Sequence, residues 1–194
     1  MESKSKGEQA RERLIECAAK LFLERGYNAT GINDILAAAA MTKGSFYFYF
    51  TSKKELAVKV FEYYQEKTKQ WVLVIASGKS WEDFISVFVG EKIDAAAAGE
   101  YYGCPMAVLG GEIAFQEPDI AARYSESMKG LISIFAKVLL QSGVAPDQAR
   151  ILAKRAFIIY EGYILYYRIS KDGNELKALL EELKGIIPGK KANQ

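Results

Sequence analysis

The sequence predicts an all-α protein of about nine helices. Three observations carry that prediction. Apolar residues recur at three- and four-residue spacing along almost the whole chain, and no stretch shows a convincing two-residue alternation. Half of the 194 residues are hydrophobic, Ala and Leu are frequent, and only four are Pro, a helix-rich composition rather than a disordered one. The periodic stretches are separated by short breaks built on Gly, Ser, Thr and Pro, the residues that stop and cap helices.

Met1–Gly7 is polar and reads as a mobile arm, in which Lys4 and Lys6 are either solvated or touch phosphate. The first helix spans about Glu8–Arg25, with Leu14, Ile15, Ala18, Leu21 and Phe22 as its apolar stripe and Cys17 at the border. Gly26 stops it, and Tyr27 is placed to fold back on Phe22.

The stretch Thr30–Phe50 organises the rest. It reads as two short helices joined by a tight turn, a helix-turn-helix. Thr30 is the expected N-cap of the first, with Asp34 in its first turn and Ile32, Ile35, Leu36 and Ala39 as the buried face. Ala40-Met41 breaks the period, and Thr42 caps a second helix that opens Lys43-Gly44-Ser45 and continues through Phe46, Tyr47, Phe48, Tyr49 and Phe50. Phe46 and Phe50 face the core at four-residue spacing; Tyr47 lies elsewhere on the helix, its hydroxyl within reach of a phosphate. A cation, a residue without a side chain and a small hydroxyl at a helix start let backbone N–H groups approach phosphate or base edges.

Thr51-Ser52 caps a long helix to about Ala76, with Val60, Tyr64, Lys67, Thr68 and Trp71 on related faces. Lys53 and Lys54 in its first turn oppose the helix dipole, a conflict that a nearby polyanion would resolve. After Ser77–Ser80 come five more helices: Trp81–Ala98, a short one near Met106–Phe115, Pro118–Ser142, Pro146–Ser170 and Glu175–Ile187. Pro188–Gln194 reads as a frayed tail.

Composition closes several routes. There is no His, which removes Ser-His-Asp, Cys-His and HExxH chemistry. Two Cys far apart make neither a structural disulfide nor a zinc ligand set. No metal or other cofactor is expected. The acidic pairs Glu112/Glu117 and Glu181/Glu182 read as solvated faces rather than a catalytic couple. The start lacks an apolar leader and no apolar run approaches membrane length, so a cytoplasmic protein is expected. Residues 1–60 hold ten Lys/Arg against seven Asp/Glu, and residues 61–194 hold 16 against 17, a mild basic bias at the end that carries the helix-turn-helix.

From about Ala10 to Phe61 the ordered set ERLIECAAKLFLERGYNATGINDIL, MTKGSFYFYF and TSKKEL resembles the TetR-type one-component transcriptional regulators. The combination of an amphipathic first helix, G-Y-x-x-T, T-K-G-S-F-Y-x-Y-F and S-K-x-E-L is specific. The chain departs at the turn, where the family usually has Gly and this sequence has Ala40. The resemblance implies contacts with a double-stranded DNA operator at Thr30, Asn33, Thr42, Lys43, Gly44, Ser45, Tyr47, Tyr49 and Lys53. Tyr49 stands where the family often has His. It implies a DNA-binding domain over residues 1–50 and a ligand-binding and dimerisation domain over 51–194, with no membrane partner and most often repression.

The residues of the second part agree. Pro146–Ser170 is apolar nearly all round, and Leu176, Leu179, Leu180, Leu183 and Ile187 stripe the last helix. Two such helices from each of two chains would build an intermolecular four-helix bundle, with Phe157, Ile164, Leu176, Leu179, Leu180 and Leu183 at the homodimer interface. A pocket rich in rings and small residues is expected for an apolar or aromatic effector, with Trp71, Tyr102, Cys104, Met106, Tyr124, Met128, Phe157 and Tyr160 as candidates. Gly103–Leu109 also resembles the G-C-x-x-x-x-L motif of a subgroup whose members include sensors of electrophiles or oxidants through that Cys; Ala107 and Val108 replace its usual Gly-Asn. Cys104 is either such a sensor, activated by the following helix dipole, or an inert pocket residue. The competing readings are a helical protein-interaction adaptor without DNA binding and, least favoured, an enzyme.

Overall fold

The computed structural model describes residues 5–188, and among them the chain forms nine α-helices and no strand. These are α1 (Lys6–Arg25), α2 (Ile32–Ala39), α3 (Lys43–Tyr49), α4 (Lys53–Ala76), α5 (Trp81–Ala97), α6 (Pro105–Ile113), α7 (Pro118–Gln141), α8 (Pro146–Ser170) and α9 (Asn174–Lys184). Lys4 and the tail beyond Pro188 lie outside the described residues. The first helix begins earlier than the sequence suggests, within the stretch expected to be an arm. The Ser5 hydroxyl accepts from the Glu8 N–H (3.2 Å) and the Glu8 carboxylate accepts from the Ser5 N–H (2.8 Å), so α1 already starts at Lys6. At the other end α9 stops at Lys184, because Gly185 takes the cap position and its N–H turns back to the Glu181 carbonyl.

The chain divides into two compact units. The first comprises the described residues of Met1–Lys67 together with Pro105–Ser125; the second comprises Thr68–Cys104 and Glu126 onward. The chain thus leaves the first unit along α4 and returns to it for α6 and the first turns of α7.

In the first unit α1 packs against α2 and α6, and α2 against α3. Leu14, Phe22, Ile35, Phe46, Phe50 and Leu56 are fully buried and form its centre. The Tyr64 hydroxyl donates to the Ala19 carbonyl (2.8 Å), tying α4 to α1. Tyr27 packs edge-on against Phe22, ring centroids 5.2 Å apart, as the Gly26 stop predicts.

In the second unit α9 packs against both α5 and α8. Its centre is a set of rings in mutual contact: Trp81, Phe84, Phe88, Phe135, Phe157 and Tyr160, at centroid distances of 5.0–6.0 Å. Trp81 opens α5 behind the Ser80 cap. Its N–H donates to the Ser142 hydroxyl and its indole N–H to the Leu183 carbonyl, both at 2.7 Å, which fixes the start of α5 to the ends of α7 and α9.

This packing corrects the interface expected from the sequence. Leu176, Leu179 and Leu183 are 0% exposed within one chain, and Phe157 and Ile164 are buried as well. They are committed to the intrachain core because the stripe of α9 turns toward α5 and α8. Leu180 is half-buried.

Candidate nucleic-acid interface and regulatory core

The helix-turn-helix is built as the local sequence directs, with one correction. Thr30 does not cap α2; Gly31 does, in an extended conformation, and the Asp34 carboxylate reaches back to accept from the Gly31 N–H (2.7 Å). Thr30 is buried instead, and its hydroxyl donates to the Gly26 carbonyl (2.8 Å). A carbonyl at the end of α1 needed a donor, and Thr30 supplies it. Its side chain is therefore withdrawn from solvent, and the DNA contact assigned to it is not available from its hydroxyl.

The second point is the turn. Ala40 sits in the left-handed region (φ 54, ψ 46); its N–H donates to the Ala37 carbonyl and the Met41 N–H to the Leu36 carbonyl. This is a complete Schellman closure with Ala where Gly is favoured, at a cost of about 1 kcal/mol. The turn keeps its geometry despite the altered residue.

Beyond the turn, Thr42 caps α3 as expected, accepting from the Ser45 N–H (3.3 Å), with the Thr42 and Ser45 hydroxyls 3.0 Å apart. Phe46 and Phe50 anchor the helix in the core. Asn33, Thr42, Lys43, Gly44 and Tyr47 are exposed, and Ser45 and Tyr49 half-buried. The sequence reading passed over Phe48. It is 81% exposed, and its ring is held edge-on to Tyr49 at 4.9 Å. The signal was present, since Phe46 and Phe50 take the inward positions and leave Phe48 on the opposite side.

The two cations at the start of α4 find partners inside the unit. Lys54 forms an ion pair with Glu117, which raises its pKa. The Lys53 ammonium lies over the Tyr27 ring, 4.3 Å from its centroid; burial lowers its pKa, opposed by the carboxylates of Glu112 and Asp34. The dipole conflict is thus eased internally, without requiring a polyanion. Nor are Glu112 and Glu117 the solvated faces expected of them. Glu112 accepts from the N–H groups of Tyr27 (2.8 Å) and Asn28 (2.7 Å), so α6 closes the exit from α1. Gly26 is needed there twice over: its φ is +98, and a Cβ would lie 2.9 Å from the Glu112 carboxylate.

The expected effector residues separate. Met106 and Tyr124 belong to the core of the first unit, where Tyr124 packs on Phe61 (4.7 Å) and against Gly110. Trp71, Tyr102, Cys104, Met128, Phe157 and Tyr160 belong to the second. Trp71 stacks on Phe88 (5.4 Å), and Phe88 packs against Tyr160 (5.0 Å). Cys104 is buried, the Tyr102 carbonyl accepts from the Arg168 guanidinium, and Met128 is half-buried.

Sequence reasoning missed Lys92 and Glu161 in the same unit. Lys92 is buried, its ammonium donating to the Phe88 carbonyl (2.7 Å) and lying 3.8 Å from the Phe88 ring centroid and 4.2 Å from that of Trp71. Burial lowers its pKa to about 7. Glu161 follows Tyr160, and burial raises its carboxyl to about 7 against the opposing effects of Cys104 and Lys92. The signal for Lys92 was its spacing, four residues beyond Phe88 and eight beyond Phe84 on one helix face. Neither Cys17 nor Cys104 is in a disulfide.

Comparison with known proteins matches the sequence in two stretches, the second of which runs through the Pro105–Ser125 segment of the first unit. Residues 14–60 match the family of bacterial regulatory proteins of the tetR type, and residues 83–182 match the C-terminal domain of LmrA/YxaF-like transcriptional regulators. The chain is 26% identical to the uncharacterised helix-turn-helix regulator YxaF of Bacillus subtilis, over 92% of this chain and 95% of that protein. It is 25% identical to the transcriptional repressor NemR of Escherichia coli, over 91% and 93% respectively. The crystal structure of reduced E. coli NemR has the same fold, with a TM-score of 0.82 at 23% identity over 92% of this chain and 97% of that one. No helix among the described residues is long and apolar enough to cross a membrane, and none of their Cys, Asp and Glu side chains gather in threes to hold a metal. With its N-terminal helix-turn-helix and a C-terminal domain matched over residues 83–182, the chain belongs to the TetR family of bacterial transcriptional regulators.

Proposed function

We propose that the protein is a homodimeric repressor that binds a near-palindromic operator and leaves it when a small molecule occupies the second unit. It acts by binding and not by catalysis. The observation that carries this reading is the polar, open start of α3, with Lys43, Gly44 and Tyr47 exposed, beside a helix-turn-helix whose inward rings are fully buried. Lys43 and the first N–H groups of α3 suit phosphate, Tyr47 and Asn33 suit phosphate or base edges, and the Phe48 ring suits the methyl group of thymine. Lys53 keeps N–H groups for phosphate beside its contact with Tyr27. The relatives named as regulators, and one as a repressor, support this role.

Release has a structural route along one helix. Trp71 lies in the second unit on α4, the same continuous helix that begins at Lys53 in the first. A guest that displaces Trp71 strains that helix. Thiol modification at Cys104 is a second route to the same displacement, open only to reagents that reach a buried sulfur.

A gel shift on the DNA upstream of the protein's own gene tests the reading. A discrete complex is expected, weakened uniformly across sequences by Lys53→Ala with a loss of about one unit of salt slope. Absence of any sequence-preferring complex in low salt would favour the adaptor reading instead.

A further inference from the structure

The second unit holds polar groups that its fold does not satisfy. The Trp71 indole N–H, the Tyr101 hydroxyl and both carboxylate oxygens of Glu161 are shielded from solvent and make no hydrogen bond of good geometry; Tyr101 has the Tyr160 hydroxyl beside it, and Glu161 the weakly donating Cys104 thiol. They come from three places in the chain, namely α4, the segment between α5 and α6, and α8. They are associated through rings and charge. Lys92 lies over Trp71, Phe88 and Tyr160, the last at 5.7 Å, and Tyr101 packs against Tyr167 at 5.6 Å. Glu161 interacts electrostatically with Lys92, Tyr101 and Tyr160, and its carboxylate accepts from the Cys104 thiol.

A core evolved only for packing does not keep such a set, since each unpartnered buried group costs roughly 1–3 kcal/mol. Phe at position 71 and an aliphatic side chain at position 161 would remove most of that cost. The groups are also complementary in kind. Trp71 offers a donor only, ionised Glu161 acceptors only, and Tyr101 either. The flat faces of Trp71, Phe88 and Tyr160 border them, partly covered by the Lys92 ammonium.

Charge narrows the guest further. Near pH 7, where burial brings both groups to half-titration, the positive charge of Lys92 and the negative charge of Glu161 balance on average. A cationic guest would meet Lys92, and an anionic one would meet Glu161.

We propose that Trp71, Lys92, Tyr101 and Glu161 form the recognition site for an uncharged aromatic effector that brings an O–H or N–H donor to Glu161 and an acceptor atom to Trp71. The proposal rests on the reading of the second unit as the effector-binding part. It sharpens that reading, since a purely apolar molecule would leave the Trp71 N–H unpaired and add no partner to Tyr101 or Glu161.

Calorimetric titration of the full chain with three probes tests it: 2-naphthol, which donates and accepts; 2-methoxynaphthalene, which only accepts; and 2-naphthylmethylammonium, which is charged. 2-Naphthol should bind at least tenfold more tightly than either of the others. Glu161→Leu should abolish the preference for 2-naphthol over its methyl ether, and Glu161→Gln should reduce it severalfold. Trp71→Phe should weaken the binding of both neutral probes. Equal affinity for 2-naphthol and its ether, a preference unchanged in Glu161→Leu, tighter binding of the ammonium probe, or no 2-naphthol binding at millimolar concentration would each overturn the site. Operator release is read separately, by fluorescence anisotropy of labelled DNA. Discriminating binding through Glu161 without release supports this site and overturns the release mechanism proposed above; release by probes that show no dependence on Glu161 does the reverse.

Discussion

Ala40 shows how a single side chain can cost stability without changing a fold. Its backbone is left-handed because the α2–α3 turn closes as a Schellman motif, and only the Cβ objects. Ala40→Gly should therefore stabilise the protein by about 1 kcal/mol in urea unfolding while leaving operator affinity unchanged. A destabilised glycine variant would show that the turn is not strained. Lys92 and Glu161 make a prediction of a different kind. Between the ordinary 4.5 and about 7, Glu161 keeps its proton in the fold and loses it in the unfolded chain, so its contribution to stability falls as pH rises. Between about 7 and 10.5, Lys92 is neutral in the fold and charged when unfolded, so its contribution rises with pH. The two meet in a minimum near neutrality. Relative to Glu161→Gln, the parent protein should gain stability from pH 7 to pH 5; relative to Lys92→Met, it should gain from pH 7 to pH 9. Differences independent of pH would mean that neither group is held away from its charged form.

Helix ends, more than helix interiors, decide how these elements are joined. The exit from α1 uses Gly26 for its backbone, Thr30 for one carbonyl and Glu112 of α6 for two N–H groups. Removing the carboxylate leaves the Tyr27 N–H without its partner in a partly buried site. Glu112→Ala should cost about 2 kcal/mol, and Glu112→Gln less, because the amide still accepts one of the two bonds. α8 shows the opposite case, an element with more apolar surface than its own chain covers. Ile151, Ile158, Leu165 and Ile169 are 60–73% exposed and recur at spacings of seven, seven and four, so they form one stripe.

That stripe is where the dimer is expected, in place of the buried leucines of α9. The protein should scatter light as a dimer at micromolar concentration, and Leu165→Glu should give a folded monomer of 21.6 kDa that has lost most of its operator affinity. A monomeric parent protein would remove the basis for reading two half-sites about one helical turn, roughly 35 Å, apart. An unaltered dimer in Leu165→Glu would move the interface off this face of α8.

The sequence by itself determined the class, the number of helices, the boundaries of α4 and α8 to the residue, the helix-turn-helix and the family. Each of these rests on spacing or capping within a few residues, where backbone geometry links side chains directly. Tertiary structure alone decided where local preference had two outlets. Thr30 could cap α2 or close α1, and the open carbonyl at Gly26 took it. The stripe of α9 could face a second chain or its own, and the positions of α5 and α8 settled it. Glu112 and Trp81 find their partners 85 and 102 residues away, a separation over which no periodicity carries information. Lys92 and Glu161 read as ordinary surface charges until the rings of α4, α5 and α8 close around them. Burial is a property of that packing and not of the residues, and burial is what gives these two groups their chemistry.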